Sequence, residues 1–291
     1  MNKLKTCIPI ITPFDKKKNI DFFSLEKLIL YISNLNYINY ILLFNNFSEI
    51  NTLSNNEKID IINCVQNNNK KNIKIILKIN NIYNFNDLSN IINQNIYKDI
   101  NYIILDYPKL KNIYKKEIIY NFNKIFKKYK YIYFFIEIKK KIYINENIFL
   151  ILKNENNNFI GIINSSNYIF KNYNLIKNIK IFINNDLLFF NNIYYNINGI
   201  ISPLLIILFN FIYDNFIKNI NNNLICIYNK KYYKFIKLID ILYNKLNPIS
   251  GLKFLLRKIN ICKRYLKLPC NKIINIKQYN KIEKIFYYIN L

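Results

Sequence analysis

Short apolar runs alternate along this chain with segments whose apolar residues recur every three or four positions. A run of four to six apolar residues bounded by polar turns reads as a strand buried on both faces. Such runs fall at 7–11, 40–44, 73–78, 100–105, 131–136, 159–163, 179–183 and 197–202. Helical spacing lies between them. At 22–33, Phe22, Leu25, Leu28, Ile29 and Ile32 share one face, and at 55–66 a helix follows Ser54 as N-cap. Further helices are predicted at 86–93, 115–127 and 146–153, and one starts at about 204. Eight strand–helix units imply right-handed parallel βαβ connections and an α/β fold, the closed (β/α)8 TIM barrel, for which ~250 residues are typical. Past 220 only helical patterns remain, so the expected division is a barrel over 1–220 and a C-terminal helical extension over 221–291 packed on it. An open doubly wound sheet is the alternative, but it lacks the glycine-rich first turn.

In a barrel the chemistry sits at the C-terminal strand ends. The positions to inspect are therefore Thr12 and Pro13, 45–49, 106–108, 137–141, 163–166, 184–186, and Ser202 with Pro203. The absence of histidine removes Ser-His-Asp and Cys-His catalysis and HExxH zinc sites. Three glycines exclude a P-loop and a GxGxxG dinucleotide loop; Gly161 and Gly199 lie inside strand runs, where glycine marks close backbone approach. Five cysteines, Cys7, Cys64, Cys226, Cys262 and Cys270, form no CxxC pair, which argues for reduced thiols in a cytoplasmic protein and against a metal site. The net charge of +26 suits a nucleic-acid partner. However, the lysines are scattered where a binding patch would cluster, and Lys, Asn, Ile, Tyr and Phe together reflect codons rich in A and T. No signal peptide is read at the start, and the longest apolar stretch, about 199–213, falls short of the ~20 residues of a spanning helix, so no membrane partner is expected.

The strand ends resemble those of the dihydrodipicolinate synthase / N-acetylneuraminate lyase family. Ile10-Ile11-Thr12-Pro13-Phe14-Asp15 is similar to the family's opening "VTPF" strand end, and Ser24-Leu25-Glu26-Lys27-Leu28-Ile29 to its first helix. Ser48-Glu49-Ile50-Asn51-Thr52-Leu53 stands where the family has "GTTGESxTL". Gly199-Ile200-Ile201-Ser202 resembles "GxIS", and Asn247-Pro248-Ile249 with Lys253 and later Leu268-Pro269 resemble "NPIPxK…LP". The resemblance runs in order over nearly the whole chain.

It implies a pyruvate-dependent lyase and, with Lys139 at the arginine position leaning towards the synthase branch, a 4-hydroxy-tetrahydrodipicolinate synthase condensing pyruvate with aspartate semialdehyde in lysine and diaminopimelate biosynthesis. It also implies a homo-oligomer, dimer or tetramer, and no cofactor. In the family a lysine of the sixth strand forms a Schiff base with pyruvate, and the protonated imine activates the methyl carbon. Carried over, the lysine position is Ile163 and the proton-shuttling tyrosine of the fifth strand falls at Phe134, with Tyr133 one residue before it. The paired threonines fall at Asn46 and Phe47, the substrate-binding arginine at Lys139, the loop glutamate at Glu49 and the pyruvate-contacting isoleucine at Ile201. Isoleucine cannot form an imine, so Lys139, Lys140 or Lys141 of the neighbouring strand is the alternative source of an amine. Tyr107 or Tyr114 could stand for the family's aromatic at a subunit contact. Two other readings stay open: a catalytically inactive barrel with a structural or partner role, and a basic nucleic-acid-binding protein.

Overall fold

The computed structural model describes residues 3–79, 100, 102–107, 114–139, 146–166, 178–191, 197–218, 230–267 and 276–290. The helix expected at 86–93 lies outside them, as do Pro108, Lys140, Lys141, Cys226, Leu268, Pro269 and Cys270. All eight expected strands are present: β1 (Lys5–Pro9), β2 (Tyr40–Leu43), β3 (Lys74–Ile79), β4 (Tyr102–Asp106), β5 (Tyr133–Ile138), β6 (Phe159–Asn164), β7 (Lys180–Ile183) and β8 (Gly199–Ile201). They follow one another in chain order around a closed barrel of the (β/α)8 type, and among the described residues helices follow β1, β2, β4, β5, β7 and β8.

The strand runs are apolar because side chains on both faces are covered. On β5, Phe134 turns outward onto Phe126 of the helix Lys115–Lys128, ring centroids 4.9 Å apart. Phe135 turns the other way, towards Phe182 of β7 at 5.3 Å. Gly161 makes room for it: a Cβ there would stand 2.5 Å from the Lys180 carbonyl oxygen and 2.8 Å from the Phe135 ring. Since Phe135 pairs with Gly161 and Glu137 with Ile163 across β5 and β6, the inner face of β5 carries Phe135 and then Glu137. The strands β4 and β5 run on past their apolar stretches to Asp106 and Ile138, because the charges they carry inward find partners there.

The chain divides into two compact units, 1–73 with 202–291, and 74–201. The residues past 220, read as an extension, thus belong to one compact unit with β1 and β2. In that unit β1 pairs in parallel with β2, and it starts earlier than its apolar run because Asn39 hooks Thr6 at both backbone groups, at 3.0 and 3.1 Å. Helix Phe22–Asn34 starts at Asp21, whose carboxylate accepts from the Ser24 N–H, and buries Leu25, Leu28, Ile29 and Ile32. Ser54 and Glu57 form a reciprocal capping box at Asn55–Asn68. The helix expected from about 204 is broken into Leu204–Ile207, Phe209–Ile212 and a π turn, Tyr213–Ile217. Apolar on nearly every side, that stretch has no 3.6 period to show where one turn ends.

Candidate functional site

Within the unit 74–201, four charged side chains gather at the C-terminal ends of β3, β4 and β5. Lys78 stands one residue before the end of β3, Asp106 ends β4, Glu137 stands one before the end of β5, and Lys139 follows it. The Lys78 amine pairs with Glu137 Oε2 and lies 3.9 Å from Asp106 Oδ1, while Lys139 pairs with Asp106 Oδ2. Positive and negative groups therefore alternate: Lys139, Asp106, Lys78, Glu137. The amine of Lys78 passes β4 to reach β5, a path open on the inner face of the barrel. Lys78 is 3% exposed and Glu137 1%, so both charges have left water and each depends on the other.

Polar groups from the next two strands fix the carboxylate. Ser165 Oγ donates to Glu137 Oε1, Asn184 Nδ2 donates to the same oxygen at 3.2 Å and to Ser165 Oγ at 3.0 Å. One oxygen of Glu137 is thus held by neutral donors and the other meets the amine. Burial alone would raise the Glu137 carboxyl, but the charge and hydrogen bond of Lys78, then the Ser165 hydrogen bond and the Lys139 charge, outweigh it and hold it below the usual range. Asp106 goes the other way: burial raises its carboxyl more than Lys78 and Lys139 lower it, and the Glu137 charge adds to the rise. The surroundings of these two neighbouring carboxyls thus push them in opposite directions.

The sequence-derived positions distribute around this cluster as follows. Lys139 belongs to it. Ile163, which the resemblance sets at the amine's position, is fully buried and is the β6 ladder partner of Glu137. Phe134 faces the helix layer. Tyr133 opens β5, stacks on Tyr102 at 5.5 Å and is 45% exposed. Four residues separate it from Glu137, about 13 Å along a strand, so it does not reach the cluster. Ile201 is buried at the end of β8. Tyr107 is buried against Phe149, and Tyr114 is exposed at the start of a helix.

In the unit 1–73 with 202–291, Asn46 and Phe47 share one 3-10 turn, Asn46–Ser48. Asn46 is exposed; the Phe47 N–H donates to Asn45 Oδ1 at 2.7 Å, and its ring meets Tyr243 edge-on at 6.3 Å. The turn is wired to β1 and β2: Asn45 Nδ2 donates to the Ile10 and Leu42 carbonyls, and Thr12 Oγ1 donates to the Ser48 carbonyl at 2.8 Å. Glu49 follows with φ 53°, a left-handed backbone that costs a non-glycine residue about 1 kcal/mol or more. Its buried carboxylate takes the Lys253 amine at 2.6 Å and the Lys267 N–H at 2.8 Å. Lys253 also donates to the Tyr265 carbonyl at 2.8 Å and lies 4.5 Å above the Phe14 ring.

Sequence reasoning named Asp106, Glu137 and Lys139 among the strand-end ranges and missed Lys78. Its signal was a lysine inside Ile75-Ile76-Leu77-Lys78-Ile79, a charge set in an otherwise fully apolar strand. Among the described residues no group of histidine, cysteine, aspartate and glutamate is placed to hold a metal, and no helix is long and apolar enough to cross a membrane. Cys7, Cys64 and Cys262 are free; burial pushes the Cys262 thiol up to about 11 and the Cys7 thiol higher still, so neither is a ready nucleophile.

Comparison with known proteins places this geometry. Residues 3–82 match the model of the dihydrodipicolinate synthetase family. No curated protein sequence matches. Among solved structures, dihydrodipicolinate synthase from Aquifex aeolicus is similar with a TM-score of 0.81 at 16% identity, over 99% of this chain and 98% of that one. N-acetylneuraminate lyase from Fusobacterium nucleatum gives 0.78 at 16% identity, over 98% of each chain. A monomeric dihydrodipicolinate synthase variant gives 0.82 at 15%, over 99% of this chain and 97% of that one. Sequence over residues 3–82 and fold over nearly the whole length thus agree: the family that this chain resembles, at a far remove in sequence, is that of dihydrodipicolinate synthase and N-acetylneuraminate lyase.

Proposed function

We propose that this chain is a lyase of the pyruvate-dependent aldolase type, and in the finer reading a 4-hydroxy-tetrahydrodipicolinate synthase joining pyruvate to aspartate semialdehyde. The observation that carries it is the inward cluster of Lys78, Glu137, Asp106 and Lys139 at the strand ends where barrel enzymes do their chemistry. A scaffold needing only stability gains little from buried ions there, since apolar side chains of similar size serve as well or better. The cluster has the parts that carbon–carbon bond formation at a 2-oxo acid uses: an amine, a carboxyl disposed to hold a proton, a carboxylate that stays ionised, and a cation near the rim for the acid's own carboxylate. The substrates are small molecules, and the whole-length likeness in fold supports the same class. Homo-oligomerisation and a cytoplasmic location accompany this reading.

Purified protein given pyruvate with aspartate semialdehyde, or with an N-acyl amino sugar, is expected to consume pyruvate in step with one of these aldehydes. If pyruvate is left untouched with every aldehyde, the reading falls. One observation favours the second reading, an inactive barrel: Ile163, which the resemblance sets at the imine lysine's position, is fully buried. The same assay separates the two.

A further inference from the structure

We propose that Lys78 of β3 is the amine that condenses with the 2-oxo acid, a displacement of the nucleophile from the sixth strand to the third. The inference rests on the aldolase reading above and names the residue that would perform it. Among the described residues two lysines are buried, Lys78 and Lys253. Lys253 is engaged by the Glu49 carboxylate, the Tyr265 carbonyl and the Phe14 ring, which is the surrounding of a structural tie. Lys78 meets two carboxylates, and one of them, Glu137, is the ladder partner of Ile163. The amine is therefore delivered from β3 to the flank of the very position that lacks one. Ile163 has the apolar Phe182 of β7 on one side and, on the other, a carboxylate held in place by Ser165 and Asn184.

The chemistry balances with groups present. The Lys78 ammonium gives a proton to Asp106, the carboxyl that burial lifts. The neutral amine attacks the carbonyl carbon of pyruvate; the N–C bond forms, and the carbonyl oxygen takes the proton that the nitrogen sheds. The carbinolamine then loses that oxygen as water, with the proton returned by Asp106, and the product is an iminium whose counter-ion is Glu137. Lys139 completes the cycle. It is bound to Asp106 in the resting site. When Asp106 becomes neutral its hold weakens, and the Lys139 amine is free to pair with the pyruvate carboxylate.

The experiment is reduction of the full chain by borohydride with pyruvate, followed by peptide mass mapping. The expected result is one adduct, adding the mass of pyruvate less one oxygen, on the peptide that carries Lys78. Lys78→Arg, which keeps the charge, is expected to abolish the adduct and to lower pyruvate turnover on the order of a thousandfold or more. An adduct on Lys139 or any other lysine overturns the assignment and leaves the aldolase reading standing. Turnover without any adduct overturns the imine itself. No adduct and no turnover overturn both. The mapping is done on the unaltered chain, so a variant that fails to fold does not decide the matter.

Discussion

Two buried lysine–carboxylate pairs stand in the two units of this chain, and they are built to different ends. Around Lys253 and Glu49 the surplus hydrogen-bonding capacity goes to backbone: the Tyr265 carbonyl accepts from the amine and the Lys267 N–H donates to the carboxylate. The pair ties the turn at 46–49 to the segment that follows helix Pro248–Lys258. Around Lys78 and Glu137 the surplus goes to further ionisable or polar side chains, Asp106, Lys139, Ser165 and Asn184. Backbone partners lock a geometry, whereas side-chain partners that can exchange protons leave charge free to move. The first arrangement suits a fastening and the second suits chemistry.

The contrast breaks or holds most visibly under single substitutions. Glu49→Gln leaves the Lys253 ammonium buried without its counter-charge, and loss of about 3–5 kcal/mol in denaturant unfolding is expected; a loss under 1 kcal/mol would mean that the tie is ornamental. Gly161→Ala sharpens the other side. The new methyl meets the Lys180 carbonyl and the Phe135 ring, and a cost of about 1–3 kcal/mol shows that β6 is closely packed beside the site. Replacing both ions at once, Lys78→Met with Glu137→Gln, is expected to stay within about 1 kcal/mol of the parent in stability, because a neutral pair escapes the desolvation that the ions suffer. The same double change should remove all pyruvate turnover. Stability and activity thus part company here, as they do not at Glu49.

A smaller effect separates the two carboxyls by pH. Glu137 lies low in the folded state, so its contribution is present above its unfolded value and fades as pH falls through its depressed value. Asp106 lies high, so its contribution is present below its unfolded value and fades as pH rises through its raised value. The stability difference between parent and Glu137→Gln should therefore grow as pH rises towards about 4.3, the unfolded glutamate value, while that between parent and Asp106→Asn shrinks from about pH 4 upward. Parallel curves would show that the two carboxyls are not set apart. The smallest change is at the surface: Lys258→Ala removes a half-exposed pair with Glu283 and should cost no more than about 0.5 kcal/mol.

The fold was legible because burial on both faces makes barrel strands continuous apolar words, and all eight appear where those words stand. The ends were less legible. Asp106 and Glu137 look like the start of loops when polarity is taken as exposure, yet the ladder runs through both since each is paired inside. The break at Leu208 was hidden by an apolar stretch without period. At the site, Ile163, which the resemblance sets at the amine's position, is buried, and Lys139 meets Asp106. Lys78 stayed unseen because its significance lies in a partner two strands away, which no local spacing records, and because lysine is so common in this chain that one more draws no notice.

The tie between Glu49 and Lys253 spans 204 positions in sequence. Contacts that distant close slowly, since the intervening chain must first give up its freedom. During translation, residues 1–73 emerge with the carboxylate of Glu49 and the left-handed turn before it still lacking the cation they were shaped for. On this reasoning the tie at Glu49 closes only after residue 267 has been made.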